Sequence, residues 1–150
     1  KDGDKAGFLT CNELWRQAEK TQLLVADASA LPALRHILAY QEDHNPEMLR
    51  ATDVIAVVTS NDEVEPGLAA RWEARVRSLR IIHTQPHGEA EAVVAALRAD
   101  YAGAPGPGYV WASGEGRLAK SVRGLAVNEW GLDTTDVTWV PYWFYGRARP

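Results

Sequence analysis

Five runs of apolar residues, separated by segments with helical periodicity, limit the folds that this chain can adopt. The runs are almost continuously apolar, which is typical of strands buried on both faces of a parallel sheet. Three intervening segments have the pattern of helices, at residues 31–43, 88–101 and 115–131. Right-handed connections between parallel strands then predict a doubly wound, three-layer α/β fold. The predicted strands are residues 22–27, 53–60, 79–85, 105–114 and 137–146.

The chain divides into a short extension and one domain. Residues 1–21 form the predicted N-terminal extension, which contains a short helix. Thr10 and Glu13 form a capping box at the start of this helix, and Trp15 lies on its apolar side. Residues 22–150 form the predicted domain, which is near the usual size for a single core. Because the first residue is Lys1, we expect the chain to be processed or to belong to a longer protein.

Charge and composition exclude several classes of function. The formal net charge of −4 argues against a nucleic-acid-binding protein, whose surface should be basic. No apolar run approaches the roughly 20 residues of a membrane-spanning helix, and the N-terminus has no signal-peptide pattern. Cys11 is the single cysteine and cannot form an internal disulfide, which favours a reducing compartment. We therefore expect a cytoplasmic protein that does not bind nucleic acid.

Two unusual loops follow the first and fourth predicted strands. A parallel sheet of strand order 3-2-1-4-5 places these loops on either side of the crevice where the strand order reverses. The first loop, ADASALP, is rich in small residues, and the second, ASGEG, contains Gly114 and Gly116, so a ligand could approach either backbone closely. A pyrophosphate suits the helix N-terminus after the first loop. Alternatively, Ser29 only caps that helix and Asp27 only complements its dipole.

Three segments of the chain resemble the siderophore-interacting protein family. LLVADASALPALRHIL, residues 23–38, is similar to the strand, loop and helix that carry a pattern close to G-D-E-T-A-L-P-A in that family. Residues 109–133, YVWASGEGRLAKSVRGLAVNEWGLD, resemble its W-A-x-G-E segment and the following helix. Residues 140–148, VPYWFYGRA, resemble its closing G-Y-W-x-x-G. The three motifs occur in the family's order and spacing.

This resemblance implies a function. Members of the family are flavin-dependent ferric-siderophore reductases related to ferredoxin reductases, in which a β-barrel holds FAD and a C-terminal α/β domain receives NADH or NADPH. The chain would be that second domain, with FAD on an absent domain or partner and a ferric siderophore as a further partner. Tyr142 and Trp143 would lie near the contact between nicotinamide and flavin. The residues implied to border the nucleotide are Asp27, Ser29, Ala30, Leu31, Pro32, Ser113, Gly114 and Glu115.

The sequence also departs from the family pattern. The family's glycine and glutamate in the first motif are Ala26 and Ala28 here, and a usual basic residue of the closing motif is Phe144. We find no flavin barrel before Gln22. These departures favour an alternative, a stand-alone, non-catalytic binding or interaction module that kept the fold and lost the cofactor. Whether the chain is an enzyme therefore stays open; an active form would be the NAD(P)H-dependent half of a ferric-chelate reductase.

The choice between NADH and NADPH is also open at this point. Asp62 or Glu63, just after the second strand, would favour NADH by hydrogen bonding a free 2′-hydroxyl. A run of arginines favours either a solvated helix face or a site for the 2′-phosphate of NADPH. We expect no metal site, because His83 and His87 have no third ligand nearby in the sequence. The arginines are Arg71, Arg75, Arg77 and Arg80.

Overall fold

The computed structural model describes residues 21–64 and 66–146. These residues form a five-stranded sheet of order β3-β2-β1-β4-β5, and every strand pairs with its neighbours in parallel. The predicted fold class and strand order are therefore confirmed. The strands are β1 (Gln22–Asp27), β2 (Thr52–Val58), β3 (Ser78–His83), β4 (Tyr109–Glu115) and β5 (Val137–Trp143).

Five helices connect the strands. Three of them match the predicted helices: α1 (Leu31–His44), α4 (Glu89–Asp100) and α5 (Gly116–Asn128). Two short helices were not predicted, α2 (Pro46–Leu49) and α3 (Leu68–Trp72). Their four and five residues are too few to show a period in the sequence.

The three central strands, β1, β2 and β4, are buried on both faces, which explains their continuous apolar runs, whereas the edge strands β3 and β5 are partly exposed. One face of β1, including Leu24, packs in a core with Leu34 and Ile37 of α1. The other face, including Leu23, packs in a second core with Leu118 of α5. All six residues of β1 are buried. Because β1 lies in the middle of the sheet, its carboxyl end opens between the two helical layers.

The strand boundaries differ from the prediction where proline interrupts pairing. β4 begins at Tyr109, whereas the sequence predicted a strand from residue 105. Pro105 and Pro107 have no N–H to donate to a neighbouring strand, so the segment before Tyr109 cannot join the sheet. The predicted N-terminal helix with Trp15 lies outside the described residues. None of the described helices is long and apolar enough to cross a membrane.

A polar cluster around the buried residue Asp53 ties the amino ends of β2 and β3 to the end of α4. The carboxylate of Asp53 accepts hydrogen bonds from Arg77 Nε at 2.9 Å, Ser78 Oγ at 2.8 Å and the Tyr101 hydroxyl at 2.5 Å. Burial alone would raise the pKa of Asp53, but the hydrogen bonds from these three residues and the charge of Arg77 outweigh it. The pKa of Asp53 is therefore below its ordinary value.

This cluster predicts a dependence of stability on pH. A carboxyl group with a depressed pKa in the folded state stabilises the fold above its unfolded pKa of about 3.9, and this contribution disappears as the pH falls through the folded pKa. We expect Asp53→Asn to lower the free energy of unfolding by about 2 kcal/mol at pH 7, with a smaller loss at lower pH. Urea unfolding between pH 7 and pH 3 measures the difference, with Asp62→Asn, at an exposed residue, as the control. If the difference in free energy of unfolding between the wild type and Asp53→Asn did not change with pH, the lowered pKa of Asp53 would be contradicted.

Candidate functional site

The carboxyl ends of β1 and β4 lie side by side at the centre of the sheet. After β1 the chain enters α1, which packs on one face of the sheet, and after β4 it enters α5, which packs on the other. The two connections therefore leave in opposite directions and open a crevice at the point where the strand order reverses. Ligands of doubly wound proteins bind in this position.

Asp27, the last residue of β1, joins the strand ends around this crevice. Its side chain is buried, and Oδ1 accepts hydrogen bonds from the N–H and the hydroxyl of Ser29, at 2.9 and 2.6 Å. Oδ2 accepts hydrogen bonds from the N–H of Glu115 at 2.8 Å and from Trp143 Nε1 at 3.3 Å. One carboxylate thus holds the ends of β1, β4 and β5 together.

These bonds correct the expected capping roles. Ser29 was the predicted cap, but Asp27 caps the single 3₁₀ turn Ala28–Ala30, and Ser29 only donates to it. α1, which follows this turn, begins at Leu31 without any side-chain cap. The N–H of Leu31 donates to the carbonyl of Ala28 and Pro32 has no N–H, so α1 begins as a continuation of the turn that Asp27 caps.

The backbones of Gly114 and Gly116 are closely approached by other side chains of this protein rather than left open to a ligand. Gly114 has a φ of 135°, and a Cβ at this position would overlap the carboxylate of Asp27. A Cβ at Gly116 would overlap the ring of Phe144. The glycines therefore allow the first, fourth and fifth strands to meet at the crevice.

Glu115 lies beneath the crevice and is only 2% exposed. Its Oε1 accepts a hydrogen bond from the N–H of Leu118 at 3.1 Å and so caps α5. Its Oε2 has no hydrogen-bond partner in the described part of the chain. A buried carboxylate oxygen without a partner is unfavourable, which makes Glu115 a candidate to accept a hydrogen bond from a bound group.

The segment that follows β5 closes one side of the crevice. The Tyr145 hydroxyl donates to Glu89 Oε2 at 2.6 Å, and the Tyr145 ring stacks on His87 with centroids 3.8 Å apart. Burial, followed by the hydrogen bond to Glu89, raises the pKa of Tyr145 to about 12. Trp143 packs edge-on against Tyr145. Glu89 and Tyr145 were not predicted from the sequence, in which the one signal is that Tyr145 lies within the closing motif.

The crevice contains a cavity of about 460 Å³. It is lined by the loop after β1, by Val57 and Thr59 at the end of β2, and by the aromatic rings of Trp143 and Tyr145. A larger cavity of about 740 Å³ lies at the opposite edge of the sheet, beside Asp53. The smaller cavity is the candidate site because it lies where the strand order reverses. Its charged lining residues are Asp27, Glu63 and Glu89.

The structure brings together five of the residues that the resemblance implied. They are Asp27, Ser29, Gly114, Glu115 and Trp143. Asp27 accepts hydrogen bonds from Ser29, Glu115 and Trp143, and its carboxylate lies against the backbone of Gly114.

The other implied residues lie differently. Ala30 and Leu31 are buried in the core, and Ser113 is fully buried with its hydroxyl donating to the carbonyl of Val140 at 2.9 Å. Pro32 lines a separate groove on the outer side of α1, and Tyr142 is 39% exposed on β5 and does not line the 460 Å³ cavity. Their roles at the nucleotide stay predictions.

The arginine run does not form one helix face. Only Arg71 lies in a helix, because the chain turns at buried Val76 and enters β3 at Ser78. Each of these arginines pairs with a carboxylate away from the 460 Å³ cavity. Arg71 and Arg75 pair with Glu42, Arg77 with Asp53, and Arg80 with Asp100.

The two histidines of the sequence analysis lie near each other in the chain but have different surroundings. His83 is exposed at the end of β3, and His87 stacks on Tyr145. Within residues 21–64 and 66–146, no group of three or more His, Cys, Asp or Glu side chains is placed to hold a metal ion.

Comparison with solved structures identifies relatives of this fold. The chain is similar to a siderophore-interacting protein from Acinetobacter baumannii, with 22% identity and a TM-score of 0.63 over 87% of this chain and 48% of that protein. It is similar to the siderophore-interacting protein SipS from Aeromonas hydrophila, with 23% identity and a TM-score of 0.62 over 87% of this chain and 54% of that one. The chain thus spans about half the length of these proteins.

A third similar structure belongs to another group. It is the flavohem-like FAD/NAD-binding domain of nitric oxide dioxygenase from Vibrio cholerae, with 14% identity and a TM-score of 0.60 over 87% of this chain and 54% of that one. At these identities the structures establish the fold, which is that of ferredoxin-reductase-like domains. None of the curated proteins compared matches the chain.

The family is established by the sequence profile of the siderophore-interacting proteins, which matches residues 19–146. This range includes all five strands and both loops of the crevice. The resemblance seen in the three motifs is confirmed, and the chain belongs to the siderophore-interacting protein family.

Proposed function

We propose that this chain is the nicotinamide-nucleotide-binding domain of an FAD-dependent ferric-siderophore reductase. Its family and fold are those of a siderophore-interacting, reductase-like domain. The observation that supports the proposal best is the hydrogen bond between Asp27 and the N–H of Glu115, which joins the loops after β1 and β4 at the point where the strand order reverses. Doubly wound folds place dinucleotides at this point.

The residues at the crevice fit the phosphate part of a nucleotide. α1 has 14 residues, and its dipole gives the end that begins beside the crevice a partial positive charge, which suits a pyrophosphate. Ala28 and Ser29 have small side chains and line the cavity in front of it. The negative charge of Asp27 is offset by the four donors that it already holds, two of them backbone N–H groups. In this proposal the nucleotide binds to backbone, and Asp27 shapes that backbone.

The chain would contribute binding and orientation. A bound NADH or NADPH supplies a hydride to a flavin, which in this proposal another domain or chain holds. The rings of Trp143 and Tyr145 form an apolar wall beside the crevice, where they would limit the positions of a planar ring and exclude water. The ferric siderophore would receive electrons from the flavin. The Vibrio cholerae relative is named as an FAD/NAD-binding domain, which supports this assignment.

One observation favours a second candidate function. Among the described residues the cavity is lined by Asp27, Glu63 and Glu89 and by no lysine or arginine, an unusual setting for an anion. The family's glycine and glutamate are also replaced at Ala26 and Ala28. A non-catalytic module that retained the fold would explain both features, and it would bind neither nicotinamide nucleotide.

Titration with NADH and NADPH, followed by tryptophan fluorescence and corrected for absorption by the nucleotide, separates the two candidates. We expect a saturable change, because Trp143 bonds directly to Asp27 beside the cavity. Trp143→Phe should lose most of this change. The matched control Trp139→Phe should retain it, because Trp139 is exposed on β5 and does not line the cavity. The absence of any saturable change at millimolar concentrations of both nucleotides would contradict the proposed function.

A further inference from the structure

Glu63 is held in a defined position at the carboxyl end of β2. It belongs to the single 3₁₀ turn Asn61–Glu63 that follows this strand. The N–H of Thr59 donates to its Oε1 at 2.7 Å, and the Thr59 hydroxyl lies 3.3 and 3.4 Å from the two carboxylate oxygens. These bonds fold the carboxylate back toward the end of the strand.

The position of Glu63 separates it from its neighbour Asp62. Glu63 lines the 460 Å³ cavity together with Asp27, Ala28 and Ser29, and Asp62 does not. Both residues are exposed, and the backbone N–H of Asp62 donates to Ser60 Oγ at 3.2 Å. Of the two acidic residues that the sequence proposed at this strand end, Glu63 is therefore the one at the crevice.

The charge around this position is negative. Asp27 and Glu89 line the same cavity as Glu63, and no lysine or arginine within residues 21–64 and 66–146 lines it. Arg77 and Arg80, which the sequence offered as partners for a 2′-phosphate, lie at the start of β3 and pair with Asp53 and Asp100. A phosphate placed beside Glu63 would meet a carboxylate, and the described residues of the cavity lining would offer it no opposite charge.

We infer that the crevice selects a dinucleotide whose adenosine ribose has a free 2′-hydroxyl, NADH rather than NADPH, and that Glu63 is the selecting residue. The inference rests on the proposed function. A carboxylate at the end of the second strand accepts a hydrogen bond from a ribose hydroxyl, and it repels a phosphate in the same place. Thr59 fixes the carboxylate before binding, so little side-chain entropy is lost when the hydroxyl binds.

A basic groove elsewhere provides the alternative outcome. It has a volume of about 550 Å³, lies on the outer side of α1, and is lined by Pro32, Arg35, His36 and Arg71 among others. If the 2′-phosphate bound in this groove, NADPH would bind at least as tightly as NADH, and Glu63 would have no influence on the choice.

Dissociation constants of both nucleotides, measured for the wild type, Glu63→Gln and Asp62→Asn, test the inference. We expect the wild type to bind NADH at least about tenfold more tightly than NADPH, which corresponds to about 1.4 kcal/mol. Glu63→Gln, which keeps the size and one acceptor oxygen but removes the charge, should reduce this ratio to about threefold or less, chiefly by improving the binding of NADPH. The matched control Asp62→Asn removes one charge from the same turn outside the cavity and should leave the ratio unchanged.

The outcomes distinguish the inference from the proposed function. Binding of neither nucleotide to the wild type would overturn both. NADPH binding as tight as that of NADH would overturn the inference and leave the proposed function standing. An unchanged ratio in Glu63→Gln, with far-ultraviolet circular dichroism showing a folded protein, would overturn the role of Glu63. If Glu63→Gln and Asp62→Asn reduced the preference for NADH equally, the effect would be one of general charge, and Glu63 would not be the selecting residue.

Discussion

Asp27→Ala is expected to lower the free energy of unfolding by about 3 kcal/mol and to abolish nucleotide binding. The substitution leaves the buried N–H of Glu115, the N–H of Ser29 and the indole N–H of Trp143 without their acceptor. Each unsatisfied buried donor costs about 1–3 kcal/mol, and partial access of water to the crevice reduces the sum. Without the carboxylate, the loops after β1 and β4 are no longer joined, so the crevice loses its shape.

Urea unfolding at pH 7 measures the change in stability. Asp62→Ala is the matched control, because Asp62 is an exposed aspartate whose carboxylate accepts none of the hydrogen bonds found here, and its loss should change the free energy of unfolding by less than about 0.5 kcal/mol. Asp27→Asn retains one acceptor oxygen and should lie between the wild type and Asp27→Ala. A loss in Asp27→Ala no larger than that in the control would show that this carboxylate does not hold the strand ends together.

Gly114→Ala is expected to destabilise the protein by about 3 kcal/mol or more. At a φ of 135° any residue with a Cβ is strained by about 1–3 kcal/mol. The added methyl group would also collide with the Asp27 carboxylate, which four hydrogen bonds hold in place. Moving the carboxylate away would break those bonds, so the two costs add.

Two further variants isolate this collision. Gly124→Ala lies in the interior of α5, where the nearest atom to the new Cβ is Asn128 Nδ2 at 4.0 Å, and it should stabilise the protein by about 0.5–1 kcal/mol. Gly114→Ala combined with Asp27→Ala should destabilise by less than the sum of the two single changes, since the truncated side chain no longer meets the new methyl group. Additive effects, or a Gly114→Ala variant as stable as the wild type, would contradict the observed packing.

The sheet could be predicted from the sequence because its signal is local. Strands buried on both faces require continuous apolar runs, and β1 and β4 provide them within a few residues. The position of the crevice then follows from the strand order. The observed elements differ from the predicted ones at two kinds of place. The helix α3 has only five residues, too few to show a period, and at the start of β4 proline prevents the pairing that the apolar pattern predicted.

The internal construction of the site could not be predicted, because it depends on pairs that are distant in the sequence. Asp27 bonds to Glu115, which lies 88 positions further along the chain, and to Trp143, 116 positions further. Tyr145 bonds to Glu89, which lies 56 positions before it. The sequence shows that Asp27 precedes a serine and a helix, which is a local capping pattern. It does not show that the same carboxylate also holds the N–H of Glu115. The role of Asp27 as a connection between strands therefore emerged only from the structure.

This role changes how the site is expected to work. Asp27 uses both oxygens within the protein, and the buried glycine backbone at Gly114 is covered by it. Side chains at the crevice thus organise the backbone, and the positive end of the α1 dipole remains to attract the ligand. Glu63 at the end of β2 and Trp143 at the end of β5 mark the two sides of the cavity.

The most direct test of the central claim is the titration with NADH followed residue by residue through backbone amide chemical shifts. If the nucleotide lies across the crevice, the largest shifts will occur at residues 28–31 and 113–116, with smaller ones near Glu63 and Tyr145. Amides around Asp53, at the opposite edge of the sheet, will not move. Shifts confined to that opposite edge, or to the groove beside Arg35 and Arg71, would contradict the account.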